Sequence, residues 1–376
     1  MNILICPNSF KECADSSTIS EIIREKFITD SKHNLEIKPL TDGGDGFLKS
    51  CQIIYDKEGF NSLFIRNYTD DLNQFNLLYL KKDKRVFIES ADIIGLKVIP
   101  DSKRNPMKLN SKDIGFILKE LSSLVKSQKI QIESVWIGIG GTATIDFGIG
   151  ACSQLGLKLF DNKSKQLEPV PQNFIKTQRL EFEFPKLPFR IICIVDVDTV
   201  LIGDPGAIEM FGPQKGATIE DIKNIKNGIK NILNLIQSDL NLSVPQNLNG
   251  AGGGLAAGLN IFLNAEIISA KHFIRTEILK GIDFRKIDAV ISGEGKFDIQ
   301  SLEGKATGVI VELCKQFSIP LFLINGSTEL PDKIKLPDNV FCINLTEFYH
   351  SKNEAIINFE EGIKRATEIV IKQLSK

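Results

Sequence analysis

The chain has 376 residues, 42% of them hydrophobic and 25% charged, with 46 basic against 47 acidic residues. So even a balance excludes a global electrostatic pull toward nucleic acid or an acidic membrane surface. No run reaches the ~18 uninterrupted apolar residues of a membrane helix, and the length points to two domains rather than one core. Residues 2–6 read directly as a strand, with no charged leader and no cleavage site, which points to a protein made and kept in the cytoplasm. Seven scattered cysteines, none spaced C-x-x-C, give neither a disulfide framework nor a zinc site. With only three isolated histidines, a histidine-dependent triad or metal site is not expected, and chemistry must rest on carboxylates, lysines and backbone.

In chain order, the first strand leads to a helix that Thr18-Ile-Ser-Glu21 would open as a capping box, with Ile19, Ile22, Ile23 and Phe27 on its apolar face. Residues 35–40 read as a second strand and run into Asp42-Gly-Gly-Asp-Gly46 and another helix. Residues 62–91 change to paired strands with a polar tip at 81–85. Ile114, Ile117, Leu118, Leu121 and Leu124 mark a helix. A strand signal at Val135, Trp136 and Ile137 then breaks into Gly138-Ile-Gly-Gly-Thr-Ala-Thr-Ile-Asp146 and resumes as a helix near Ala151. Such a strand, glycine turn and helix aims backbone N–H groups at an anion, whereas Asp146 in it suits a metal, a substrate hydroxyl or a plain helix cap. Residues 191–197 read as a buried strand, and Ile222, Ile225, Ile229, Ile232 and Ile236 as a long helix. Strands at 289–292, 320–325 and 340–345 follow, and one final helix carries Ile356, Phe359, Ile363, Ala366 and Val370.

This alternation predicts an α/β protein of two domains. A flavodoxin/Rossmann-like parallel-sheet domain is built from both chain ends (1–70 plus 276–376), and a mixed α/β domain (71–275) is inserted between them.

Five polar or glycine loops follow strands, where open α/β sheets bind their ligands. They are Pro7-Asn-Ser-Phe-Lys11, Asp42-Gly-Gly-Asp-Gly46, the 138–146 run, Asp196-Val-Asp198 with Phe211-Gly-Pro-Gln-Lys-Gly216, and Ser292-Gly-Glu-Gly-Lys-Phe-Asp298 with Gly304-Lys305. Carboxylates and lysines on glycine loops suit phosphoryl transfer, which needs phosphate cradles, positive charge, ligands for magnesium and one base. The P-loop, protein-kinase and dinucleotide fingerprints are all missing. Asp196 ends a run of apolar residues, a costly place for an idle carboxylate, and Glu294 between glycines is poor turn chemistry without a role. Arg104-Asn-Pro106 pairs a guanidinium with a rigid turn, which suits a substrate carboxylate.

In order along the chain, these loops, with Gly250-Ala-Gly-Gly-Gly-Leu255, resemble those of bacterial type I glycerate kinases. Phe211-Gly-Pro-Gln-Lys-Gly-Ala217 is the most distinctive, and the likeness spans essentially the whole chain. The resemblance implies transfer of phosphate from ATP, with Mg2+, to D-glycerate, usually giving 2-phosphoglycerate, in a cleft between two domains unrelated to P-loop kinases. On that reading Asp196 is the base, while Lys11 and Arg104 hold the glycerate carboxylate or the moving phosphate, with Ser9 and Asp42 also at the substrate. Gly140, Gly141, Thr142, Thr144, Gly293 and Gly295 cradle phosphate, and Lys215 neutralises developing charge. Glu294 and Asp298 bind magnesium, with Asp42 as a further candidate ligand. Partners are then glycerate and ATP alone, with no nucleic acid or membrane, in a monomer or homodimer.

The chain departs from the family pattern at Asn8 (Asp in the family), Ile145 (Asn), Phe147 (Gly), Thr199 (Asn) and Lys296 (Arg). It departs again at residues 109–114, where the family has a Thr-rich stretch, and at 304–308, which is one residue shorter. Two alternatives therefore stand beside the glycerate reading: a kinase of another small hydroxy acid, and a relative that binds ligand without turnover.

Overall fold

The computed structural model describes residues 1–10, 13–28, 33–56, 59–66, 74–196, 199–302 and 305–375. Among them the strands are, in order, β1 (Asn2–Ile5), β2 (Asn34–Ile37), β3 (Asn61–Arg66), β4 (Gln74–Leu80), β5 (Arg85–Glu89) and β6 (Ser134–Ile139). Next come β7 (Lys158–Phe160), β8 (Gln166–Leu167), β9 (Arg179–Glu181), β10 (Arg190–Val195) and β11 (Glu266–Ser269). The last five are β12 (Ala289–Ser292), β13 (Lys296–Asp298), β14 (Leu321–Asn325), β15 (Ser327–Glu329) and β16 (Val340–Asn344). The protein is α/β, and its contacts divide it into two units: Met1–Asp42, Gly46–Lys57 and Ala270–Lys376 form unit 1, while Gly43–Asp45 and Glu58–Ser269 form unit 2. The chain thus changes unit inside the Asp42-Gly-Gly-Asp-Gly46 loop.

Unit 1 is a five-stranded, wholly parallel sheet in the order β2-β1-β12-β14-β16. Ranked along the chain this is 2-1-3-4-5, the flavodoxin-like doubly wound order. Ile3, Leu4 and Ile5 are all buried, as a parallel strand covered on both faces requires. One face packs Ile3, Ile5 and Ile291 against Ile19, Ile23 and Phe27 of helix Ser16–Ile28 and Ile363, Ala366 and Val370 of helix Phe359–Leu374. Two sequence expectations are corrected here. The first helix begins at Ser16, because the Asp15 carboxylate accepts the Thr18 N–H at 2.8 Å and caps it ahead of the Thr18 pattern. The last helix is two, Lys352–Ile357 and Phe359–Leu374, broken at Asn358, whose side chain donates back to the Glu354 carbonyl.

Unit 2 carries a six-stranded sheet in the order β11-β10-β6-β5-β4-β3, parallel from β11 to β5 and antiparallel through β4 and β3. The polar tip after Leu80 joins β4 to β5 as a hairpin. Helix Lys112–Lys126 lays Ile114, Ile117, Leu118 and Leu121 on one face of this sheet, with Leu255 and Leu259 of helix Leu255–Leu263 in the same core. A second core gathers Phe147, Leu159 of the small sheet β8-β7-β9, Phe174 and the Ile225, Ile229, Ile232 and Ile236 stripe of helix Ile219–Asp239.

Where strand ends meet in unit 1, backbone comes so close to backbone that only glycine fits. Gly293 has φ +149°, and a Cβ there would stand 1.7 Å from the carbonyl oxygen of Ile324. Gly293→Ala is expected to lose about 3 kcal/mol or more of unfolding free energy in a denaturant titration, through overpacking added to backbone strain. Gly281, with φ +83° and nothing within 4 Å, is the control, and its alanine variant should lose only about 1–2 kcal/mol. Equal losses at the two positions would show that close approach is not what Gly293 provides.

Candidate active site

The order of the unit 1 sheet reverses between β1 and β12, and ligands of doubly wound sheets bind beyond the carboxyl ends of strands at such a point. The segment after β1 is fastened to the segment after β12: the Asn8 N–H donates to the Gly293 carbonyl at 2.8 Å, and the Ser292 hydroxyl donates to the Cys6 carbonyl at 2.7 Å. A cavity of about 310 Å3 opens there, at the low end of the ~300–1,000 Å3 typical of ligand sites. Of the residues that the sequence singles out, Ser9, Glu294, Gly295 and Asp298 line it together, with Lys296, Lys305 and Lys352 beside them and Phe10, Leu345, Ile356 and Phe359 as an apolar wall. Gly293 supports this loop from behind, against Ile324.

Glu294 is buried, and its Oε1 has no hydrogen-bond partner. Burial raises its carboxyl above the ordinary range, an effect that the nearby hydroxyls of Thr307 and Ser301 and the charge of Lys305 oppose. Its backbone is fixed from β14: Asn325 Oδ1 accepts the Glu294 N–H at 3.2 Å, and the Glu294 carbonyl accepts the Gly326 N–H at 3.0 Å. Asp298 is half committed to local structure, since its Oδ1 accepts the Gln300 N–H at 3.0 Å. A buried carboxylate oxygen without a donor, beside a partly exposed second carboxylate, fits a divalent cation. Among the described residues no cluster of three or more His, Cys, Asp or Glu could hold a metal by itself. Magnesium commonly takes one or two carboxylates and completes its shell with water and phosphate oxygens, so the donor set is compatible with it.

Unit 2 presents its own loops at the carboxyl ends of β6 and β10. Ile139 pairs with Val195, so Gly140 and Asp196 leave adjacent strands at the same level. Asp196 is half-buried there; Val197 and Asp198 lie outside the described residues, as does Lys11. Gly140 packs on Gly44, with a Cβ only 2.6 Å from the Gly44 Cα, and Gly141 adopts φ +61° beside Asp45. Lys215 is 5% exposed; its ammonium donates to Thr142 Oγ1 at 3.1 Å and to the Thr144 carbonyl at 3.0 Å, while Thr144 Oγ1 is buried without a partner. Burial brings the Lys215 ammonium down to about 8, with the Asp146 carboxylate pulling the other way. Arg104 lies next to this segment, its carbonyl 2.9 Å from where a Gly216 Cβ would be. Its guanidinium already donates to the carbonyls of Leu96 and Ile99 and pairs with Asp101, which leaves two of its five N–H groups for a ligand. Asp42 is half-buried and belongs to unit 1.

Several side chains behave differently from what spacing suggests. Asp146 is a structural cap: it is wholly buried and accepts from the Ser111 N–H, the Ser111 hydroxyl and the Gly150 N–H at 2.7–2.9 Å. Ile145 and Phe147 both point into the second core rather than into a loop surface. Phe147 holds φ +55°, a conformation that disfavours a side chain by about 1–2 kcal/mol, and its fully buried ring offsets this. Asn8 lines the cavity, with its Oδ1 accepting the Ser9 N–H at 2.9 Å.

Two groups escaped the sequence reading. Lys97 bridges three carboxylates, Asp92 at 2.7 Å, Glu89 at 2.9 Å and Asp45 at 3.2 Å, and hydrogen bonds to Asp92 and Glu89 more than offset its burial and raise its ammonium. Asn325 is fully buried and binds both the Glu294 N–H and the Thr328 hydroxyl. Asn325 and Glu89, the carboxylate partner of Lys97, have the signal that marked Asp196, a polar residue ending an apolar strand: Glu89 follows Val86, Phe87 and Ile88, and Asn325 follows Leu321–Ile324.

The sequence profile of the glycerate kinase family matches residues 3–375. The glycerate kinase of Neisseria meningitidis serogroup B is 32% identical over 339 residues, covering 87% of this chain and 86% of the relative. The glycerate 2-kinase of Escherichia coli K12 is 30% identical, covering 87% and 85%. A crystal structure assigned to a glycerate kinase 2 of Salmonella typhimurium LT2 superposes with a TM-score of 0.76 at 25% identity, over 100% of this chain and 98% of that one. With loops, fold and whole-length likeness in agreement, the chain belongs to the glycerate kinase family and is, with it, a kinase.

Proposed function

We propose that the protein transfers the terminal phosphoryl group of ATP to D-glycerate with magnesium, giving 2-phosphoglycerate. The observation that carries this reading is the unit 1 cavity at the sheet's switch point, where an unpartnered buried carboxylate, Glu294, meets Asp298 and three lysines. The relatives named for glycerate support the acceptor, and the E. coli relative's name supports attack from the 2-hydroxyl.

Phosphoryl transfer leaves the protein to position the reactants and stabilise charge. Glu294 and Asp298 would hold magnesium, which when bound neutralises charge on the phosphates. Ser9, Gly293 and Gly295 line or shape the same loop, and Lys11 extends the segment after β1 with an ammonium for the acid or the phosphate. In unit 2, Gly140, Gly141, Thr142 and Thr144 form the second cradle, held together by Lys215, whose charge faces the developing anion. Arg104, with its two remaining N–H groups, and Asp42 orient the glycerate. Asp196 takes the proton from the attacking hydroxyl.

A relative that binds without turnover draws its motivation from Asn8, Ile145 and Phe147. Two of those three pack into the second core of unit 2, so their bulk does not crowd the loop surface. Following ADP release with D-glycerate, ATP and magnesium, and identifying the product by phosphorus NMR, tests the reading; ATP binding with no glycerate-dependent ADP would overturn it.

Two further outcomes are expected. Asp196→Asn should lower kcat by about 10²–10⁴-fold with glycerate affinity and melting temperature little changed; full turnover would exclude it as the base. Lys215 is needed as the cation, so kcat/KM should fall as pH rises through about 8, the free-enzyme value. Stability should move the opposite way. Its folded value lies below the ordinary 10.4, the unfolded chain binds more protons between the two, and unfolding free energy should rise with pH across that window. A pH–rate profile flat to pH 9.5 would remove Lys215 from the charge-stabilising role.

A further inference from the structure

We propose that the unit 1 cavity holds the nucleoside end of the phosphoryl donor, with base and ribose against Phe10, Leu345, Ile356 and Phe359 and the phosphates toward Gly295 and Lys305. The inference rests on the kinase reading and divides its two phosphate cradles by ligand: the cavity beside β1 and β12 is the donor's.

The lining is mixed. Glu294, Asp298, Lys296 and Lys305 come from the segments after β12, while Phe10, Leu345, Ile356 and Phe359 supply large apolar side chains, with Thr346 and Lys352 among them. Glycerate is a three-carbon hydroxy acid whose every carbon bears oxygen, so it has no surface to match an apolar wall. A nucleobase does, because it is planar with two apolar faces and a polar edge. The volume of about 310 Å3 lies within the range of small-molecule sites.

The carboxylate argues the same way. A bare anion next to Glu294 would meet an unpartnered buried carboxylate oxygen and be repelled, whereas a nucleotide that arrives with its divalent cation supplies the missing partner. Part of the apolar lining comes from the C-terminal helices: Ile356 lies in the last turn of one and Phe359 opens the next, so both flank the break at Asn358. This accounts for a segment, residues 345–359, that no phosphate-binding motif includes.

Photolabelling the intact wild-type chain with 2-azido-ATP locates the base directly. The label should fall on peptides within residues 345–359 and be displaced by ATP. Ile356→Asp, which sets a charge in the wall, should raise the calorimetric Kd for ATP about tenfold or more while the Kd for inorganic tripolyphosphate changes by less than about twofold. Label confined to residues 59–269, or an Ile356→Asp protein with wild-type ATP affinity, would overturn the assignment. Glycerate-dependent ADP release by the same wild-type preparation separates the two levels. Turnover with the label elsewhere overturns the subsite alone, and a chain that neither binds ATP nor turns over overturns both.

Discussion

The closeness of Gly293 to the Ile324 carbonyl is the constraint on which the unit 1 edge depends. Because β12 and β14 approach without intervening side chains, the loop after β12 can lie flat on the loop after β14. Gly326 and Ser327 then donate to the carbonyls of Glu294 and Gly295, and the short parallel pair β13–β15 continues the contact outward. The Glu294 N–H donates to the Asn325 side chain and its carbonyl accepts from the Gly326 N–H, so its main chain is fixed from the end of β14, and its side chain lines the cavity. The hydrogen bonds run on: Asn325 donates to Thr328, and Thr328 to Asn344 at the end of β16. Three successive strand ends are thus tied by polar side chains in a region where each unsatisfied group would be expensive. Glu294 Oε1 is left out of that network. The hydroxyl of Thr307, a neighbour of Glu294, is buried without a partner as well, so two polar atoms of this shell are left unsatisfied.

Unit 2 handles buried charge by a different arrangement. Asp146 gives its carboxylate to Ser111 and to the N–H groups that open helix Ile149–Ser153, and so anchors the far end of the glycine loop. Lys215 crosses the near end, bonded to Thr142 and Thr144. The loop is therefore clamped at both ends by groups of opposite charge, and its glycines remain free of side chains toward the β6 edge. Behind it, Gly252, Gly253 and Gly254 all have positive φ; a Cβ on Gly253 would lie 2.1 Å from the Thr144 carbonyl. Two glycine loops stack as bare backbone, and that stacking explains why Gly250-Ala-Gly-Gly-Gly-Leu255 belongs to the pattern without contributing a reactive side chain.

Much of this was legible because parallel α/β sheets put their polar residues where strands stop. Asp196, Glu294 and the glycine runs stand out against Val, Ile and Leu, and the doubly wound order of unit 1 follows the alternation of strand and helix. What escaped the sequence depends on distance in space. Thr18 looked like a cap because its neighbours fit the pattern, yet Asp15 lies one turn earlier and a carboxylate accepts more strongly than a hydroxyl. Asp146 read as a ligand or a cap with equal force, and only the presence of Ser111, 35 positions away, decides for the cap. Lys97 gave no local signal at all, since its meaning comes from Glu89, Asp92 and Asp45 converging on one ammonium.

The departures from the family pattern fall into place by the same reasoning. A glycine loop tolerates new side chains so long as they leave by the rear, and Ile145 and Phe147 do so. Their bulk joins Leu201, Ile208 and Phe262 in the core. Phe147 accepts a left-handed backbone that glycine would adopt freely, and the buried ring compensates with roughly 2–3 kcal/mol of hydrophobic stabilisation. Asn8 is the departure of a different kind, since it stands on the cavity itself and lacks the charge of an aspartate. Losing one carboxylate next to Glu294 and Asp298 lowers the negative charge of the lining, and those two remain as its carboxylates.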